Sequence, residues 1–92
     1  MTPYEWIDVI KKKTGLLTDY KVAQTLGISR AALSNYKSGK RQTFDESTAV
    51  KVAGILGEKP EAVLLDQYAE TVKTPEARTA LLAEARRLCI LC

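Results

Sequence analysis

The most constraining feature of this sequence is its punctuation. Short apolar-periodic segments are each opened by a capping residue or a proline, and four of them are closed by glycine, a pattern that helices need and strands do not. Thr2-Pro3-Tyr4-Glu5 is a capping box with proline at the first helical position. Trp6, Ile7 and Ile10 then form one apolar stripe, and Thr14-Gly15 supplies the stop, which predicts a helix over about 3–13. Thr18 or Asp19 opens a second helix that runs to Leu26 and ends at Gly27. Ser29 caps a third, which reaches about Ser38 and stops at Gly39. Thr43-Phe44-Asp45-Glu46 reads as a second capping box and predicts a fourth helix over about 44–56, with Gly57 past its end. Pro60 opens a fifth helix carrying Val63, Leu64 and Tyr68. Thr74-Pro75-Glu76 opens a sixth, which presents Ala77, Leu81, Ala85, Leu88 and Cys92, with Leu82 and Cys89 alongside. No segment alternates apolar and polar residues long enough to make a strand, so the expected class is all-α.

Composition narrows the function. With 92 residues the chain has room for one core, and its fractions of hydrophobic (46%) and charged (27%) residues are those of a globular domain. Histidine is absent, which removes imidazole acid–base catalysis and the commonest transition-metal ligand. There is no phosphate-binding glycine loop and no partnered carboxylate pair, so no enzyme is expected. Cys89 and Cys92 form a C-x-x-C, but a tetrahedral zinc site needs four ligands; they read as small apolar residues on an amphipathic helix. No metal, cofactor or small-molecule ligand is expected. The first residues carry neither a basic nor an apolar leader region, and no run of about 18 apolar residues could span a membrane. A reducing, cytoplasmic setting follows as the expectation.

Residues 18–44 carry the functional signal. Two short helices crossing steeply need a small residue where their backbones approach, and Ala23 supplies it. Four residues later the chain leaves the first helix in a left-handed conformation, which Gly27 adopts without a Cβ clash. Val22, Leu26, Ile28, Leu33 and Tyr36 line the inner faces. The outward stripe of the third helix is then Arg30, Ala31, Ser34, Asn35 and Ser38, which are small or polar and never acidic. Such a stripe suits entry into a groove about 12 Å wide, with Arg and Asn able to bond base edges. Charge is placed accordingly. Residues 1–43 hold eight basic and three acidic side chains, residues 44–92 six and eight, and within 11–41 only Asp19 opposes eight cations.

This segment resembles the helix-turn-helix of the phage repressor and Cro family, the xenobiotic-response-element type of DNA-binding domain. Ala23, Gly27, Ile28, Ser29, Leu33 and Tyr36 match its small, glycine and apolar positions. Gly39-Lys40-Arg41 resembles its basic loop, and Leu56-Gly57 with Pro60-Glu61 its junction between fourth and fifth helices. The resemblance covers about residues 4–70. It implies a five-helix lambda-repressor-like domain over 1–73, to which residues 74–92 add a C-terminal helix that packs on the core or pairs two chains. Lys37 stands where many relatives carry an acid, and Asp19 where a neutral amide is common.

On this reading the chain is a transcriptional regulator, of phage or prophage type, that binds a palindromic double-stranded operator as a homodimer in the bacterial cytoplasm and nucleoid. Arg30, Ala31, Ser34 and Asn35 are the expected base readers, with Ala31 against a thymine methyl. Tyr20, Lys21, Ser29, Lys37, Lys40 and Arg41 are the expected phosphate ligands. Dimerisation is expected through the fifth and sixth helices. Two alternatives stay open: an antitoxin or restriction–modification controller that represses its own promoter, and a protein-interaction module that has lost DNA binding.

Overall fold

The computed structural model describes residues 1–90, so Cys92, and with it the C-x-x-C pair, lies outside the described residues. Six helices follow one another: α1 (Pro3–Thr14), α2 (Asp19–Leu26), α3 (Arg30–Ser38), α4 (Glu46–Leu56), α5 (Pro60–Thr71) and α6 (Pro75–Leu88). The fold is all-helical, with no strand among the described residues. No helix among them is long and apolar enough to cross a membrane.

Local chemistry explains the helix ends. Thr2 and Glu5 form the reciprocal capping box, with Glu5 N donating to Thr2 Oγ1 at 3.2 Å and Thr2 N donating to Glu5 Oε1 at 2.8 Å. Thr18, rather than Asp19, caps α2 by accepting from Lys21 N at 3.1 Å, and Ser29 caps α3 by accepting from Ala32 N at 3.0 Å. At Gly27 (φ 72°) the chain turns left-handed, and Ile28 N reaches back to Ala23 O at 3.0 Å in the six-to-one bond of a Schellman end.

The start of α4 differs from the sequence expectation. Thr43 is not its cap; Asp45 accepts from Thr48 N at 3.3 Å, and the helix begins at Glu46. The reason is tertiary. Phe44 is pulled out of the helical path to bury its ring edge-on against Tyr36, centroids 5.1 Å apart, while its N–H donates to Gln67 Oε1 at 2.8 Å. Phe44 then precedes the cap and shares the core with Ala49, the pairing of a hydrophobic staple.

One core joins α1–α5: Trp6, Ile7, Ile10, Val22, Leu26, Tyr36, Phe44, Ala49, Val52, Ala53, Leu56 and Val63. A polar network crosses it. Buried Asp66 accepts from Trp6 Nε1 at 2.8 Å and pairs with the Met1 ammonium at 3.0 Å, and Gln67 Nε2 donates to Met1 O at 2.8 Å. A buried indole N–H and a buried carboxylate thereby satisfy one another. Helix α6 lies outside this core and folds back antiparallel on α5. Arg78 Nε donates to Ala69 O at 3.1 Å at one end, and the Glu58 carboxylate accepts from Ile90 N at 2.8 Å and from the Cys89 thiol at the other. Ala85 is its one residue buried as deeply as the core among those described.

The two glycines of opposite geometry give a paired test. Gly27→Ala forces a Cβ into the left-handed region and should lower unfolding stability by about 1–2 kcal/mol. Gly54, inside α4 with nothing within 4 Å of an added Cβ, should instead gain about 0.5–1 kcal/mol on substitution by Ala. Urea denaturation of both variants reads the two signs; destabilisation of equal size in both would remove the turn's special role.

Candidate nucleic-acid interface

The turn at Gly27 sets α3 across α2, and Ala23, buried to 1% exposure, lets the two backbones close on one another. Val22, Leu26 and Tyr36 enter the core, and Ile28, Ala32 and Leu33 pack against it. What α3 leaves outward is Arg30, Ala31, Ser34, Lys37 and Ser38, all exposed, with Asn35 half-buried at the edge. Three of the four expected base readers thus share an open face, and the fourth flanks it. The N-terminus of α3, capped by exposed Ser29, adjoins Arg30 and Ala31 of this face, and a helix N-terminus is a favourable place for a phosphate.

The expected phosphate ligands divide. Lys21 is exposed on α2, and Lys40 and Arg41 are exposed in the loop after α3. That loop is held to the helix by Arg41 N donating to Asn35 O at 3.2 Å, and the Arg41 guanidinium lies 5.5 Å from the Tyr36 ring centroid. Tyr20 and Lys37 have other company. The Arg30 guanidinium lies over the Tyr20 ring at 4.5 Å, and Gln24 Nε2 donates to the Tyr20 hydroxyl at 3.2 Å. Lys37 leans toward α1, with its ammonium 3.5 Å from Asp19 and 5.8 Å from the Tyr4 ring centroid.

Asp19 is the one acid in this basic region, and it is occupied. It accepts from Lys11 Nζ at 2.9 Å and from the Tyr4 hydroxyl at 3.0 Å, besides its pairing with Lys37. The Lys11 hydrogen bond, helped by Tyr4 and by the charges of Lys11 and Lys37, holds the Asp19 carboxyl below the usual carboxylate range against the opposing effect of burial. Asp19 therefore ties α1, α2 and α3 together, a role that its position beside Thr18 conceals in the sequence. The lysines that follow on α1 also have partners of their own, Lys12 at the surface. Lys12 pairs with Asp8 one turn away at 3.1 Å, and Lys13 donates to the Leu56 carbonyl at the end of α4.

The structure also adds residues that sequence reasoning left out. Gln24 joins the Tyr20–Arg30 pair; its spacing of four from Tyr20 on one helix was the available signal. Gln42 and Arg78 line a groove with Lys37 and Arg41 at the C-terminal end of α3. Arg78 comes from α6, and no local pattern places it there. Among the described residues no group of three or more His, Cys, Asp or Glu is disposed to hold a metal ion.

A helix-turn-helix family model matches residues 13–63, more than half of the chain, and spans α2 to the first turn of α5. The chain belongs to the Cro/C1-type helix-turn-helix family. It is accordingly a DNA-binding transcriptional regulator of that type. No curated protein and no solved structure matched it.

The bound state of Asp19 has a pH signature. Its folded value is depressed, so its stabilisation is fully present above the unfolded value of about 3.9 and is lost as pH falls through the lower folded value. Asp19→Asn should be less stable than the parent at pH 7, and thermal melts should show the two converging below about pH 4. A gap that stays constant down to pH 2.5 would contradict the ion-pair assignment.

Proposed function

We propose that this regulator reads a palindromic operator as a homodimer, with α3 of each protomer in the major groove and half-site centres about 34 Å apart. The observation that carries this reading is the acid-free exposed face of α3, bordered by the capped N-terminus at Ser29 and by the Lys40–Arg41 loop. Arg30, Ala31, Ser34 and Asn35 are proposed to meet base edges. Lys21, Ser29, Lys40 and Arg41 are proposed to hold the flanking phosphates, with Lys37 joining them when a phosphate competes with Asp19. The resemblance to phage repressors supports a phage or prophage regulator, acting where the chromosome lies in the cytoplasm.

The dimer is proposed to form through α5. Its inner face is used by the core and α6, while Leu64 and Tyr68, one turn apart, remain exposed, Tyr68 to 59%. They edge a shallow groove that also includes Thr43 and Phe44, so a second chain seated there would sit close to the DNA-facing loop.

Base readers and phosphate ligands should fail differently. Asn35→Ala should weaken operator binding by about 1–3 kcal/mol and relax preference at one base pair. Lys40→Ala should weaken operator and random duplexes alike and reduce the salt slope by about one. Fluorescence anisotropy titrations over a salt series measure both; equal losses on operator and random DNA for both variants would refute the division. Light scattering tests the second part. The parent should be a dimer and the Leu64→Asp, Tyr68→Asp double variant a monomer of unchanged helix content, whereas a dimeric double variant would place the interface elsewhere.

A further inference from the structure

The first residue of α3 and the second residue of α2 meet in a way that neither helix needs for its own stability. The Arg30 guanidinium carbon lies over the Tyr20 ring, 4.5 Å from its centroid. Tyr20 is 42% exposed, so the contact lies at the surface and not in the core. The ring is itself steadied, because Gln24 Nε2 donates to its hydroxyl from the next turn of α2 at 3.2 Å. Among the described residues Arg30 takes part in no ion pair, and the nearest acid along α2, Asp19, is engaged by Lys11, Tyr4 and Lys37.

We infer that Tyr20 is a positioning residue that holds Arg30 flat for the recognition of a guanine. The inference rests on the base-reading role of α3 proposed above. An arginine side chain has several rotatable bonds, and a free one must be ordered when DNA arrives. Stacking uses only the face of the guanidinium and leaves its in-plane N–H donors at the edge. Two such donors side by side match the O6 and N7 acceptors of guanine in the major groove. Adenine offers an amino donor beside N7, so the same edge meets a like donor there and loses one bond. Lysine at position 30 has no plane to lay on the ring, and its three donors sit on one freely rotating nitrogen that Tyr20 cannot orient. The role is also distinct from a phosphate contact by the Tyr20 hydroxyl, which would act on every sequence equally.

Selection of bound duplexes from a random pool by the full chain, its Tyr20→Phe, Tyr20→Leu and Arg30→Lys variants, and the Tyr20→Leu, Arg30→Lys double variant tests this. The parent and Tyr20→Phe should select guanine at the same position of each half-site. Tyr20→Leu should keep the rest of the site, while its guanine-over-adenine preference there falls by about tenfold, and in an Arg30→Lys background the same Tyr20→Leu change should leave the preference at that position unaltered. In the free protein, the Arg30 side-chain NMR resonances should be displaced by the ring current in the parent and in Tyr20→Phe, and not in Tyr20→Leu. A Tyr20→Leu variant with full guanine preference overturns the inference, as does a Tyr20→Phe variant that weakens all sequences as much as Tyr20→Leu. If the parent enriches no sequence, base reading by α3 fails, and this inference with it. If it enriches a site whose guanine preference ignores Tyr20, only the present inference fails.

Discussion

The left-handed turn at Gly27 is the constraint on which the DNA-facing surface depends. It ends α2 with a six-to-one bond from Ile28 to Ala23, and the chain re-enters a helix at Arg30 with Ser29 as its cap. A different exit from α2 would reorient α3 against the core. Buried Ala23 allows the close crossing, and Tyr36 anchors the far end of α3 in the core against Phe44. The reading helix is therefore fixed at its start by backbone geometry and at its end by aromatic packing. Its outward side chains are left largely free of structural duty, apart from the Tyr20–Arg30 contact and the Lys37–Asp19 pair.

Electrostatics then divides the molecule by use. Much of the positive charge near α1 is consumed internally, since Lys11 serves Asp19, Lys12 serves Asp8 and Lys13 serves the C-terminal end of α4. Lys21, Arg30, Lys40 and Arg41 are the exposed cations of α2, α3 and the loop after it that enter no ion pair among the described residues. Total charge could not reveal this, because an ammonium engaged by a carboxylate or a helix terminus contributes little to an anionic ligand. The core makes the opposite use of polarity. Asp66 and Gln67 join the start of the chain, Trp6 and the backbone before α4 through hydrogen bonds, and this network accounts for two polar residues on the inner face of α5.

Much of the fold was legible in the sequence because helix ends are local chemistry. Thr2 with Glu5, Thr18, Ser29 and the left-handed glycines 15, 27, 39 and 57 each act within a few residues. The start of α4 escapes local pattern for the complementary reason: Thr43 has the right local spacing, but burial of Phe44 between Tyr36 and Gln67 outweighs it. The outward stripe of α3 was equally legible, as it follows from helical periodicity once the turn is placed. The partners of Asp19, the contact of Arg30 with Tyr20 and the arrival of Arg78 beside Arg41 were not, because each depends on how separate helices cross. The hold of Glu58 on the end of α6 belongs to the same group.

The central claim is that α3 and the two segments bordering it form the DNA-binding face. NMR titration of the isotopically labelled chain with a duplex carrying a selected site examines that face residue by residue. Resonances of Tyr20, Lys21, Ser29 to Asn35 and Ser38 to Gln42 should shift together at increasing duplex, with the exposed side of α6 unmoved. Shifts confined to α5 and α6, with α3 unaffected, would contradict it.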